Sequence, residues 1–66
     1  MSIMKVIEVL SESSESWEDA TVKGVSKASN SVDNVKSAYV KEQSVTIKDG
    51  KVDMYRVNLK ITFGVK

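Results

Sequence analysis

The side chains that could do chemistry are few in this chain. Histidine and cysteine are both absent from its 66 residues. That excludes zinc held by imidazole or thiolate, a triad with a histidine base and a disulfide framework. The glycines Gly24, Gly50 and Gly64 are isolated, so no phosphate-cradling loop is present. Glu18 and Asp19 are adjacent and diverge on a helix, which suits solvated carboxylates better than an acid/base pair. The acids around Asp49 and Asp53 lie in a hairpin too short for a twelve-residue calcium loop. Arg56 and Lys60 share one side of a strand while Tyr55 has the opposite parity. The basic row therefore lacks an aromatic platform and argues against nucleic-acid binding. Trp17 could stack on a ligand, but its helical spacing with Ala20, Thr21 and Gly24 favours packing. No nucleophile or acid/base set stands out, and the expectation is a protein that is not an enzyme.

These residues must be positioned by a very small domain. At 7.3 kDa the chain is read as one domain, residues 1–66. A chain of this size buries only about 60% of the surface it exposes when unfolded. Without disulfides or a structural zinc, partner subunits are the expected source of further stability. The net charge is +1 with 29% charged residues, an ordinary soluble surface. No apolar run reaches the ~20 residues of a membrane span, and Lys5 and Glu8 interrupt the apolar N-terminus, unlike a signal peptide. The expectation is cytoplasmic, with no membrane partner. Charge is uneven: five acids oppose Lys5 in residues 1–19, and nine bases oppose four acids in residues 20–66. Acids at a helix start and lysines further along it would complement the helix dipole.

Residues 3–11 are rich in β-branched types and predict a strand. Val6, Ile7, Val9 and Leu10 are apolar on both parities, so its second face needs a cover, for which another subunit is available. Ser13 is the predicted N-cap of a helix running from about 14 to 31. Trp17, Ala20, Thr21, Gly24, Val25, Ala28 and Val32 form its apolar face. Gly24, costly in mid-helix, points to close approach of helix and sheet. Residues 35–48 predict a second strand, with a bulge or bend near Glu42–Ser44 where apolar parity changes. Asp49-Gly50 predicts a hairpin. Tyr55, Val57, Leu59, Ile61, Phe63 and Val65 alternate with polar residues in a third strand. The fold class is α+β: a β-α-β-β two-layer unit with one helix on a three-stranded antiparallel sheet.

This order, with particular residues, resembles the dodecin family over nearly the whole chain. The shared features are Lys5-Val6-Ile7-Glu8-Val9, Ser16-Trp17-Glu18, Ala28-x-x-Ser31-Val32, Val40-x-Glu42-Gln43, Asp49-Gly50 and Tyr55-Arg56-Val57-x-Leu59-x-Ile61-x-Phe63. The resemblance implies a hollow homododecamer. It also implies binding and storage or buffering of a small ligand, often a flavin such as riboflavin or FMN, held where subunits meet. In flavin-binding members paired rings lie between tryptophans, and a glutamine on the third strand meets the ring's polar edge. Here Ser37 stands at the tryptophan position, Lys36 at the preceding aspartate and Arg56 at the glutamine. Loss of a stacking platform worth ~1–3 kcal/mol per ring implies weakened flavin binding. The Ser-Trp-Glu and Val-x-Glu-Gln segments are closer to a Trp-less branch that includes calcium-binding dodecins. The alternative implied is therefore a non-flavin dodecameric shell holding calcium or another small ligand. Its metal ligands cannot be mapped onto this sequence. Arg56 is suited to a bidentate phosphate or carboxylate contact, but an Arg–carboxylate pair across a subunit interface is the reading favoured over it.

Overall fold

A computed structural model describes residues 2–65. Strand β1 (Ile3–Ser13) leads into helix α1 (Trp17–Ser31), followed by β2 (Val35–Lys48) and β3 (Lys51–Val65). The sheet order is β1-β3-β2, with β3 antiparallel to both neighbours. β1 and β2 thus run parallel on either side of β3. A connection between parallel strands must cross over the sheet, and α1 is that crossover. The expected α+β class and β-α-β-β order are observed.

The helix begins later than the sequence suggests. Ser13 is the last residue of β1, paired with Tyr55, and only 3% exposed. The N-cap is Ser16, whose extended backbone (φ −170°, ψ 166°) lets its hydroxyl accept from the Asp19 amide at 2.9 Å. Ser13 instead ties the β1–α1 turn: its Oγ accepts from the Glu15 amide at 2.9 Å and donates to Asp19 Oδ2 at 2.6 Å. In a serine-rich run every hydroxyl is a plausible cap. The extra length of β1, set by pairing with β3, decides which one is used. Glu18 and Asp19 occupy the first helical turn as expected, but the last turn carries no base. Val32 lies beyond the helix as its extended C-cap, and its amide donates to the Ala28 carbonyl at 2.9 Å.

The core is small. Ala20 and Ala28 of α1 meet Val57, Leu59 and Ile61 of β3, with Ile7, Val9, Trp17, Val25 and Val35 half-buried around them. Gly24 lets the backbones close up: a β-carbon there would stand 2.8 Å from Leu59 Cδ1 and 3.1 Å from Ser11 Cβ. Ser11 Oγ reaches across the same contact and donates to the Ala20 carbonyl at 2.8 Å.

β1 pairs with β3 without interruption, whereas β2 shifts register between Val35 and Ser37 and between Val40 and Glu42. The extra residues are Lys36 and Lys41. The second bulge answers to the parity change in the sequence, but it sits at Lys41, just before the expected Glu42–Ser44. A third shift, opposite Thr46 and Ile47, leaves Asp53 without a partner in the ladder, and Thr46 Oγ1 accepts from the Met54 amide at 3.0 Å beside it. Asp49 (φ 53°) and Gly50 (φ 75°) close the hairpin, the two left-handed positions of a type I′ turn.

Candidate functional site

Paired residues of an antiparallel ladder point to the same side, so the register sorts the sheet into two faces. One face carries Ile7, Val9, Val57, Leu59 and Ile61 and lies under α1. The other has no helix on it among the described residues. Its rows run from Ser37 to Thr62 to Val6, from Tyr39 to Lys60 to Glu8, from Glu42 to Asn58 to Leu10, and from Ser44 to Arg56 to Glu12. The two residues singled out from the sequence, Ser37 and Arg56, both belong to this helix-free face.

Within one chain they are not neighbours. Ser37 pairs with Thr62, six positions along β3 from Arg56, a separation of about 20 Å at the rise of a strand. Ser37 is exposed and offers a hydroxyl with no π-face. Arg56 is held beside Glu12, its cross-strand partner on β1, with Nε 2.7 Å from Oε1. The Nε–H is not aimed at that oxygen and forms no hydrogen bond, so the contact is ionic only. Both side chains are over a third exposed, and such pairs contribute about 0–1 kcal/mol. The Arg–carboxylate pair expected between subunits is thus available inside the chain.

The middle of the face holds a second set of charges. Lys60 faces Glu8 directly, and Lys41, displaced by its bulge, reaches over β3 to put Nζ 3.5 Å from Glu8 Oε1. Lys41 is the lysine in ion-pair contact with Glu8, and Glu42 lies in the next row of the same face. Beside them Tyr39 is 66% exposed, and Met4, Val6 and Leu10 on β1 are bare on the same side. The unmatched apolar parity of the first strand thus corresponds to a face that no other described element covers. In the sequence Tyr39 carries no signal that separates it from any other β-former. Strand alternation puts it on the same face as Ser37, and the register shows that this face is the one without the helix.

Trp17 belongs to the other side. Its ring meets Tyr55 edge-on at a centroid distance of 5.2 Å, and its indole N–H donates to the Ser44 carbonyl at 3.0 Å. It packs between helix and sheet as expected, but at the rim and only half-buried. A groove of about 230 Å³ also opens on the helix side, between α1 and the free edge of β1, lined by Ile7, Val9, Gly24, Lys23 and Lys27 among others. Neither Ser37 nor Arg56 lines it. No group of three or more His, Cys, Asp or Glu residues able to hold a metal ion occurs among the described residues of one chain. No helix among them is long and apolar enough to cross a membrane.

Asp19 is the carboxylate whose titration the fold visibly alters. The hydrogen bond from Ser13, then the Lys23 ammonium 2.9 Å away, hold it below the usual aspartate value. Lys23 is raised in return, chiefly by its bond to Asp19. This network fastens the start of α1 to the end of β1 and involves neither Ser37 nor Arg56.

The molecule is therefore a small α+β module that buries one sheet face under a crossover helix and leaves the other, partly apolar and charged, bare. Residues 3–66 match the Dodecin family, and the chain belongs to it. A curated relative, calcium dodecin of Mycobacterium tuberculosis, is 35% identical over 66 residues, which is 100% of this chain and 93% of the relative. The crystal structure of calcium dodecin from that organism, described as having a novel calcium-binding site, is 35% identical, with a TM-score of 0.85 over 97% of this chain and 91% of that one. Dodecin from Streptomyces coelicolor is 26% identical, with a TM-score of 0.94 over 98% and 93% of the two chains.

Proposed function

We propose that this chain forms a homododecameric shell that binds and buffers a small ligand, with flavin retained only weakly, and that it is not an enzyme. The observation that carries this reading is the bare helix-free face, where Met4, Val6, Leu10 and Tyr39 are exposed beside Ser37 and Arg56. A face of that kind is what neighbouring subunits and a ligand between them would cover. The residues fit flavin poorly at the two resemblance positions. Ser37 cannot stack, and Arg56 supplies donors only and already has Glu12 beside it. The separation of Ser37 and Arg56 within one chain accords with a site assembled from several copies. The shell is placed in the cytoplasm, with no membrane or nucleic-acid partner.

Fluorescence-quenching titration with riboflavin and FMN tests the reading. Wild type should bind with a Kd well above micromolar. Ser37→Trp combined with Arg56→Gln should tighten riboflavin binding at least tenfold, about 1.4 kcal/mol. Sub-micromolar wild-type binding, or an assembled double variant with no gain, overturns the assignment of these two positions.

Calcium is the second reading, favoured by the 35% identity to a calcium dodecin. No chain-internal cluster of three or more His, Cys, Asp or Glu residues exists among the described residues, and this reading has the ion draw oxygen ligands from more than one subunit. Calorimetry with calcium on the assembled protein checks it. Heat of binding that persists after the assembly is dissociated would contradict a site shared between copies.

A further inference from the structure

We infer that the groove between α1 and the free edge of β1 is a separate ligand site and that it takes a short alkyl chain ending in a carboxylate. The groove lies on the helix side of the sheet, away from Ser37, Arg56 and the helix-free face, so it is independent of the flavin and calcium readings. It exists because α1 buries the middle strand and leaves part of β1 uncovered. Val57, Leu59 and Ile61 of β3 are fully buried, whereas Ile7 and Val9 of β1, on the same side, are only half-buried. Gly24 and Ala28 of α1 are too small to fill the space beside them, and β1 is an edge strand with no neighbour beyond it among the described residues. The resulting space is about 230 Å³. An apolar cavity of about 150 Å³ already takes benzene, and drug-sized ligands need about 300 Å³ or more. A chain of several methylenes lies between those sizes. No aromatic residue lines the groove, so a planar ring finds nothing to stack on there, while a flexible chain can follow the aliphatic floor.

The rim selects the head group. Lys23 and Lys27 stand four residues apart along the helical wall of the groove, the spacing of neighbours on one helix face. Their alkyl stems extend the apolar surface while the ammonium groups stay in water. No carboxylate lines the groove. Lys23 is occupied by Asp19, 2.9 Å away, but Lys27 is in no ion pair among the described residues. One unpaired ammonium above an aliphatic floor complements an anionic amphiphile: the tail covers Ile7 and Val9, and the carboxylate accepts a charge-assisted hydrogen bond from Lys27.

The test uses the full-length protein in its native assembly, radiolabelled octanoate in equilibrium dialysis as the probe and elution volume as the check on assembly. Octanoate should bind saturably and at least tenfold more tightly than butanoate, because each methylene that leaves water strengthens binding about twofold to fourfold. Octylammonium, with the same tail and the opposite charge, should not displace it. Lys27→Gln, a change at an exposed position, should weaken octanoate at least fivefold with elution unchanged. Ile7→Thr, which keeps a strand-forming side chain and removes apolar floor, should weaken it at least threefold; if that variant fails to assemble, Lys27→Gln decides alone. Absence of saturable octanoate binding, displacement by octylammonium or undiminished binding in Lys27→Gln overturns the inference. Octanoate that competes with riboflavin occupies the other face, which overturns the inference while the small-ligand reading stands.

Discussion

Two glycines show how the same residue type answers different demands. At Gly24 the backbone is ordinary helix, and the constraint is space: a β-carbon would collide with Leu59, which is fully buried, and crowd Ser11. Alanine would gain about 1 kcal/mol of helix propensity and lose about 1–3 kcal/mol to overpacking. Gly24→Ala is therefore expected to destabilise by roughly 1 kcal/mol in urea denaturation; a stabilised variant would mean that helix and sheet can part without cost. At Gly50 a β-carbon would meet nothing within 4 Å, but φ is +75°. Gly50→Ala should cost about 1–2 kcal/mol through conformation alone. Asp19 makes a pH prediction. Its folded value lies below the unfolded 3.8, so its contribution is complete above the unfolded value and is lost as pH falls through the folded one. The stability difference between wild type and Asp19→Asn should be clear near neutral pH and vanish only once pH has fallen below the folded value. A difference that stays constant with pH would show that the carboxylate charge is not what Ser13 and Lys23 hold.

Among the elements, the mismatch between helix and sheet governs what is exposed. α1 has 15 residues and β3 has 15. They span about 23 Å and about 50 Å respectively at their different rises, and the molecule is 51 Å long. The helix cannot reach the hairpin end, where Ile47 and Val52 remain exposed. Trp17 is the residue that secures the helix at that boundary, stacked edge-on against Tyr55 and bonded to the Ser44 carbonyl. Being half-buried, it should contribute less than the ~3–5 kcal/mol of a fully enclosed aromatic. Trp17→Ala is expected to cost about 1.5–3 kcal/mol. Trp17→Phe, which keeps an aromatic ring and loses the N–H, should cost about 0.5–1.5 kcal/mol. Equal losses for the two variants in a thermal or denaturant series would assign the whole effect to the hydrogen bond and none to packing.

For the whole molecule, the deciding quantity is how little one chain buries. Among the described residues, Ala20, Ala28, Val57, Leu59 and Ile61 form the buried apolar core, while Ile3, Val6, Leu10, Tyr39, Ile47 and Val52 are each at least half exposed. A core of that size is marginal for an isolated domain, and large exposed apolar patches mark interaction surfaces. The expected result in light scattering is a particle of about twelve times 7.3 kDa, with urea midpoints that rise with protein concentration. A monodisperse monomer at micromolar concentration would sink the shell reading, and with it the reason for the bare face.

The elements were legible in the residues alone, because they follow from local periodicity and turn chemistry. The strict alternation from Tyr55 to Val65, the three- and four-residue spacing from Trp17 to Ala28 and the Asp49-Gly50 turn each act over a few residues. The order and spacing of those segments also carried the family. What depends on pairing across the chain was settled only by the folded arrangement. The length of β1 against β3 moved the helix cap from Ser13 to Ser16, and the bulge came to rest at Lys41 because register is counted against a partner strand. The place of β3 between β1 and β2 put Arg56 beside Glu12 and Tyr39 across from Lys60. A side chain's face in a sheet changes with every one-residue shift in register, so no local pattern could have fixed these neighbours.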